Sequence, residues 1–93
     1  MNSLPFQILL ALAGGELTAG EVLSQIAHDT EGSYWMPERT FYSALPVLVK
    51  KGWIIRQGMG RGARYRLSPD GRRQLQWENT RVQQAAKLLN ERL

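Results

Sequence analysis

Thr40-Phe-Tyr-Ser-Ala-Leu-Pro-Val-Leu-Val-Lys-Lys-Gly-Trp-Ile-Ile-Arg-Gln-Gly-Met-Gly-Arg-Gly-Ala-Arg-Tyr-Arg-Leu67 reads, in order, as a helix, a strand, a glycine-rich basic turn and a second strand. Pro37 and Glu38 mark the helix start: proline suits the first turn, and a carboxylate is favourable at the positive end of the helix dipole. Phe41, Tyr42, Leu45, Leu48 and Val49 recur at spacings of three and four, which predicts one buried face. Gly52 ends the helix. Pro46 removes a backbone bond from the helix interior and costs about 3 kcal/mol, which predicts a kink or an early end there. A strand over residues 45–49 is disfavoured by the same proline. Trp53–Ile55 and Ala63–Leu67 alternate as paired strands around Gly58-Met-Gly-Arg-Gly62, with Tyr65 and Leu67 on one face and Arg64 and Arg66 on the other. The glycine run lacks the strand, loop, helix order of a nucleotide loop, and no Gly-Lys-Ser/Thr follows it.

Charge is segregated along the chain. Residues 1–38 hold five acids and no Lys or Arg, whereas residues 39–75 hold nine basic residues and a single acid, Asp70. A solubilising surface mixes its signs. A block of one sign points to a face that meets a polyanion.

Outside this unit the chain reads as three further helices. Ser3–Ala13 predicts one of about ten residues, with Pro5 in its first turn and Gly14-Gly15 at its end. Only Gln7 is polar between Pro5 and Ala13, so this helix is expected to bury more than one side, with Ile8 and Leu12 available to a second copy. Thr18-Ala-Gly-Glu21 is a capping box, flanked by Leu17 and Val22 at the staple positions. Val22, Leu23, Ile26 and Ala27 give the next helix its apolar face, and it fades near Glu31-Gly32. Tyr34 and Trp35, in the turn that follows, either pack beneath it, the commoner outcome for such residues, or touch a ligand or partner. Ser68 and Pro69 open the last helix as N-cap and first residue. Gly71 reads as a weak spot in its first turn. Leu75, Asn79, Val82, Ala86, Leu89 and Leu93 form a narrow heptad seam suited to pairing with another helix, and Asn79 resembles the polar residue that sets register in two-stranded coils.

Composition excludes several classes. Ninety-three residues make one domain with a modest core. There is no cysteine, hence no disulfide framework. The apolar run from Ile8 to Ala13 is too short to span a membrane and has no preceding positive charge, so neither an anchor nor a signal peptide is expected. His28 is the only histidine, which argues for a surface role and against a metal site. No nucleophile, base and acid come together in the sequence, so an enzyme is not expected and no cofactor is implied.

Tyr42-x-x-Leu45-x-x-Leu48-x-x-x-Gly52-x-Ile54, followed by Arg64-Tyr65-Arg66-Leu67-Ser68-x-x-Gly71-Arg72, resembles the PadR family of bacterial transcription regulators. The apolar first helix (Ile8-Leu-x-x-Leu12), Gly15 and the short second helix extend the resemblance over nearly the whole chain. Pro46-Val47 and Ala19-Gly20 depart from the family pattern, and the C-terminal part is short. The resemblance implies a winged helix-turn-helix: mainly α with a small β-hairpin, and a long C-terminal helix for dimerisation. It implies a cytoplasmic homodimer on double-stranded DNA, usually a repressor, with a small hydrophobic or aromatic effector in some members. On that reading, residues 1–69 form the DNA-binding domain and 70–93 the dimerisation helix. Glu38, Arg39, Thr40 and Ser43 are candidate base-reading positions. Arg56, Arg61, Arg64 and Arg66 are candidate phosphate or minor-groove contacts. Trp35 and Trp77 are the effector candidates, between subunits. A protein–protein adaptor without operator binding is the alternative, supported by the apolar run Pro46–Val49.

The seam makes one expectation direct. Replacing Val82 and Leu89 together by Asp should convert a dimer into monomer or unfolded chain, as read from molecular mass by light scattering. A variant that keeps the dimer mass removes the seam from the interface.

Overall fold

In a computed structural model describing residues 3–92, the elements run α1 (Leu4–Ala11), β1 (Leu17–Thr18), α2 (Ala19–Asp29), α3 (Glu38–Lys50), β2 (Ile54–Gln57), β3 (Arg64–Leu67) and α4 (Pro69–Arg92). One-turn 3-10 segments follow α1 (Leu12–Gly14) and join β2 to β3 (Gly60–Gly62). The sheet is antiparallel with order β1-β3-β2. Its third strand, β1, was not expected. Two residues cannot show a period, and Leu17 and Thr18 had a sufficient reading as staple and cap.

Local chemistry sets most boundaries. The Ser3 hydroxyl caps α1 by accepting from the Phe6 N–H at 3.3 Å. The capping box of α2 closes reciprocally: Thr18 N–H donates to Glu21 Oε1 at 2.9 Å, and Glu21 N–H to Thr18 Oγ1 at 3.3 Å. The N–H of Thr18, then its hydroxyl, hold the Glu21 carboxyl below the ordinary carboxylate value, with a smaller contribution from the charge of Arg64. At the end of α3, Gly52 adopts φ 77°. Its N–H donates to the Val49 carbonyl at 3.0 Å, and the Trp53 N–H to the Leu48 carbonyl at 3.1 Å. This is a Schellman stop, whose left-handed residue is strained for any side chain but cost-free for glycine.

One core joins the elements. Ile8, Leu9 and Leu12 meet Val22 and Ile26 of α2, Phe41, Leu45 and Leu48 of α3, and Ile54, Ala63 and Tyr65 of the hairpin region. Each large apolar side chain so enclosed stabilises the fold by about 1.5–3 kcal/mol. The hairpin register pairs Ile54 with Leu67 and Arg56 with Tyr65. Tyr65 faces the core while Arg64 and Arg66 are exposed, as the alternation required.

Several expectations are corrected. Helix α3 does not end at Pro46; it continues to Lys50. Its buried stripe is narrower than expected: Phe41, Leu45 and Leu48 are inside, while Tyr42 and Val49 reach solvent. In α2, Ala27 is exposed. Trp53 lies just before β2 rather than in it. Ile8 and Leu12 are enclosed by their own protomer's core, which leaves Leu10 as the exposed large apolar residue of α1. Gly71 is no weak spot: a Cβ there would lie 1.8 Å from the Trp53 carbonyl oxygen, so the close approach excludes any side chain. In the α4 seam, Leu75 is half-buried against its own core, so only that position is corrected; Asn79 and Leu89 are exposed, as positions available to a second helix would be. Leu93 and the side chains of Val82 and Ala86 lie outside the described residues.

The lowered Glu21 pKa makes the α2 cap pH-dependent. Its contribution should be complete above the free carboxylate's value of 4.5 and lost as pH falls through the lower folded value. Thermal melts across that acid range should show the loss in the parent, and less of it in Glu21→Gln. Identical pH profiles would remove the carboxylate from the cap.

Candidate nucleic-acid interface

The buried stripe of α3 turns its other faces outward. Arg39, Ser43 and Val47 lie on the side opposite the core, with Thr40 on the flank away from the hairpin, and all are exposed. Glu38, Tyr42, Pro46 and Val49 lie on one flank, and that flank faces the hairpin. Pro37 stands at the N-cap of α3, where its carbonyl accepts from the N–H groups of Thr40 and Phe41 at 3.0 and 3.2 Å. The Tyr42 ring is held edge-on to Phe41, with centroids 5.1 Å apart.

Between this flank and the hairpin runs an open groove of about 770 Å³. Glu38 and Tyr42 line it from α3, Arg56, Gly60, Arg61 and Tyr65 from the hairpin, and Thr18, Ala19 and Gly20 from the start of α2. A smaller hollow of about 230 Å³ shares Arg56 and Tyr65 with it and is lined also by Pro46, Val49 and Lys50. The α3 wall therefore offers a carboxylate and a phenol, while the hairpin wall offers two guanidiniums. Gly58 and Gly60 hold left-handed conformations in the turn, where Met59 and Arg61 project into solvent.

The candidate residues fall into distinct groups. Glu38, Arg56 and Arg61 share the groove. Arg39, Thr40 and Ser43 occupy the adjacent outer face of α3. Arg66 is exposed on the hairpin. Arg64 is differently engaged: its Nε donates to Glu16 Oε1 at 2.7 Å and its Nη2 to the Glu16 carbonyl at 3.2 Å. It braces the turn before β1 against β3, which reduces the charge it can lend to a partner. The sequence reading missed Tyr42, whose apolar ring fitted the buried stripe, and the α2 start, which only the sheet brings to the groove.

Of the tryptophans, Trp35 is 81% exposed and Trp77 63% exposed, so the expectation that Trp35 packs under its turn is corrected; Tyr34 packs there instead. Trp53 is half-buried beneath Lys51, whose Nζ stands 4.7 Å from the ring centroid. Among the described residues no three His, Cys, Asp or Glu side chains gather as a metal site, and no helix is long and apolar enough to cross a membrane.

No protein-family model matches the chain, and no curated relative does. Solved structures do. A transcriptional regulator from Clostridium thermocellum is 26% identical, with 95% of this chain and 87% of that one aligned at a TM-score of 0.80. A PadR family transcription regulator from Clostridium difficile is 20% identical, with 97% of each chain aligned at a TM-score of 0.81. Bacillus subtilis PadR, solved in complex with operator DNA, is 23% identical over 78% of this chain and 44% of that one, at a TM-score of 0.68. The first two of these alignments run over nearly the whole chain, helices and sheet together: the chain has the winged helix-turn-helix fold of PadR-family transcription regulators.

Proposed function

We propose that the protein is a homodimeric, cytoplasmic transcription regulator of the PadR type that binds operator DNA as a repressor. The observation that carries this reading is the shared placement of two elements. The exposed first turns of α3 and the arginine-bearing hairpin border one open groove, in a fold that a neighbour uses on operator DNA. Residues 1–69 act as the DNA-binding unit and 70–93 as the dimerising helix. Helix α3 enters the major groove, where Arg39 can hold guanine O6 and N7 together and Glu38 can accept from a cytosine amino group. Arg56, Arg61 and Arg66 neutralise phosphates or enter a minor groove; Arg64 contributes less because Glu16 already holds it. Trp35 and Trp77, being exposed, are positions where an aromatic effector would register in fluorescence.

The exposed apolar residues of α3, Tyr42, Val47 and Val49, favour a second reading, an adaptor whose α3 meets protein. Binding to mixed DNA fragments across a salt series separates the two. A dimer that neutralises about six phosphates gives a slope of log K against log salt of roughly −5. An adaptor gives weak binding and a flat dependence.

The two DNA-contacting elements should also fail differently. A bidentate guanine contact supplies about 1–3 kcal/mol of discrimination, so Arg39→Ala should relax preference at particular positions of sequences selected from a random duplex library. Arg61→Ala should weaken selected and random DNA alike and shrink the salt slope by about one unit. If Arg61→Ala redraws the selected sequence while Arg39→Ala leaves it intact, the roles of helix and hairpin are reversed.

A further inference from the structure

Helices α3 and α4 are joined at their ends by more than the hairpin that connects them in sequence. The Schellman stop at Gly52 leaves the carbonyls of Gly52 and Trp53 at the corner where α3 turns into β2. Ser68 takes both. Its N–H donates to the Trp53 carbonyl at 3.1 Å, and its hydroxyl donates to the Gly52 carbonyl. The same hydroxyl oxygen accepts from the Gly71 N–H at 2.9 Å and so caps α4. An ordinary N-cap serine spends its hydroxyl on its own helix at the surface. Ser68 is buried and spends it on two helices at once. Gly71 completes the contact. Its Cα faces the Trp53 carbonyl so closely that a methyl group would lie 1.8 Å from the oxygen and 2.8 Å from the carbon.

We propose that Ser68 and Gly71 are positioning residues that lock the root of α4 to the end of the recognition helix and thereby set the separation of two recognition helices in the dimer. This rests on the dimeric DNA-binding reading. At 1.5 Å per residue α4 is ~36 Å long, so a tilt of ~10° at its root carries its far end ~6 Å. An interface formed along α4 converts that displacement into a change in the spacing of the half-sites. The contacts of α1 with α4 are the competing restraint on the same helix.

The absence of cysteine allows a clean distance measurement. Ser43→Cys and Lys87→Cys, both exposed positions, would carry two nitroxides in a chain diluted with excess unlabelled protein, so that pulsed dipolar spectroscopy reads the distance from α3 to α4 within one copy. A narrow distribution is expected in the parent. Ser68→Ala should broaden it and move its mean by roughly 5 Å, the scale of a small tilt over this length. Gly14→Ala, where an added Cβ meets no atom within 4 Å, should leave it unchanged. Ser68→Asp keeps a cap acceptor and loses the donor to Gly52, so it serves if Ser68→Ala fails to fold. A cooperatively melting Ser68→Ala or Ser68→Asp protein with the parent's distribution overturns the proposal and assigns α4's orientation to α1. The chain labelled at Ser43→Cys alone, undiluted, reads the distance between copies, which Ser68→Ala should also shift. No coupling between copies overturns the dimeric reading alone and leaves the lock within one copy to be judged by the first measurement.

Discussion

Burial of Phe41, Leu45 and Leu48 is the constraint on which the arrangement depends. These side chains sit at spacings of four and three on α3 and are almost wholly enclosed. Once they are inside, every other position of the helix has its direction assigned by the 3.6-residue turn. Arg39, Ser43 and Val47 must face away from the core, and Thr40 to the flank away from the hairpin. Glu38, Tyr42 and Pro46 must face the hairpin. Pro46 sits on this exposed flank, where the lost N–H leaves no buried carbonyl of the core stripe without a partner. That placement is consistent with the helix running on to Lys50.

The hairpin is held against that flank by the same core. Tyr65 points inward, and the two-residue period of its strand then sends Arg64 and Arg66 outward. Arg56 shares the face of Ile54 and Tyr65, and it is exposed because that face opens into the groove there. The exposed charges are not equivalent. Arg64 pairs with Glu16 across 48 positions of sequence. An exposed ion pair of this kind adds about 0–1 kcal/mol to stability at most, so its larger consequence is electrostatic: it withdraws one cation from the basic face. The groove that remains is two-sided, with acceptors on α3 and guanidiniums on the hairpin. Glu38 stands in the first turn of α3, where a carboxylate is favourable at the positive end of the helix dipole.

Much of this was legible in the residues. The 3-4 spacing from Phe41 to Leu48, the Thr18–Glu21 capping box, the Gly52 stop, the strand alternation and the Ser68-Pro69 start are local rules, decided within a few residues. Each appears in the structure close to where those rules put it. The segregation of charge was likewise a matter of counting, because residues adjacent in sequence on one hairpin stay adjacent in space.

What sequence alone could not decide involves partners distant along the chain. Strand β1 exists only because β3 lies beside it, since two residues form no strand by themselves. Tyr42 is apolar enough for the core, and only the packing of Phe41, Leu45 and Leu48 decides that its ring stays outside, edge-on to Phe41. Arg64 reads like its neighbours until Glu16 is brought beside it. Gly71 looks like a flaw in a helix, and its necessity appears only when the Trp53 carbonyl arrives at the distance a side chain would occupy. Propensity, capping and periodicity act over one or two turns and are written in the local residues. Close approach, ion pairing and the limits of the core depend on what folds against them, and those the tertiary structure alone decides.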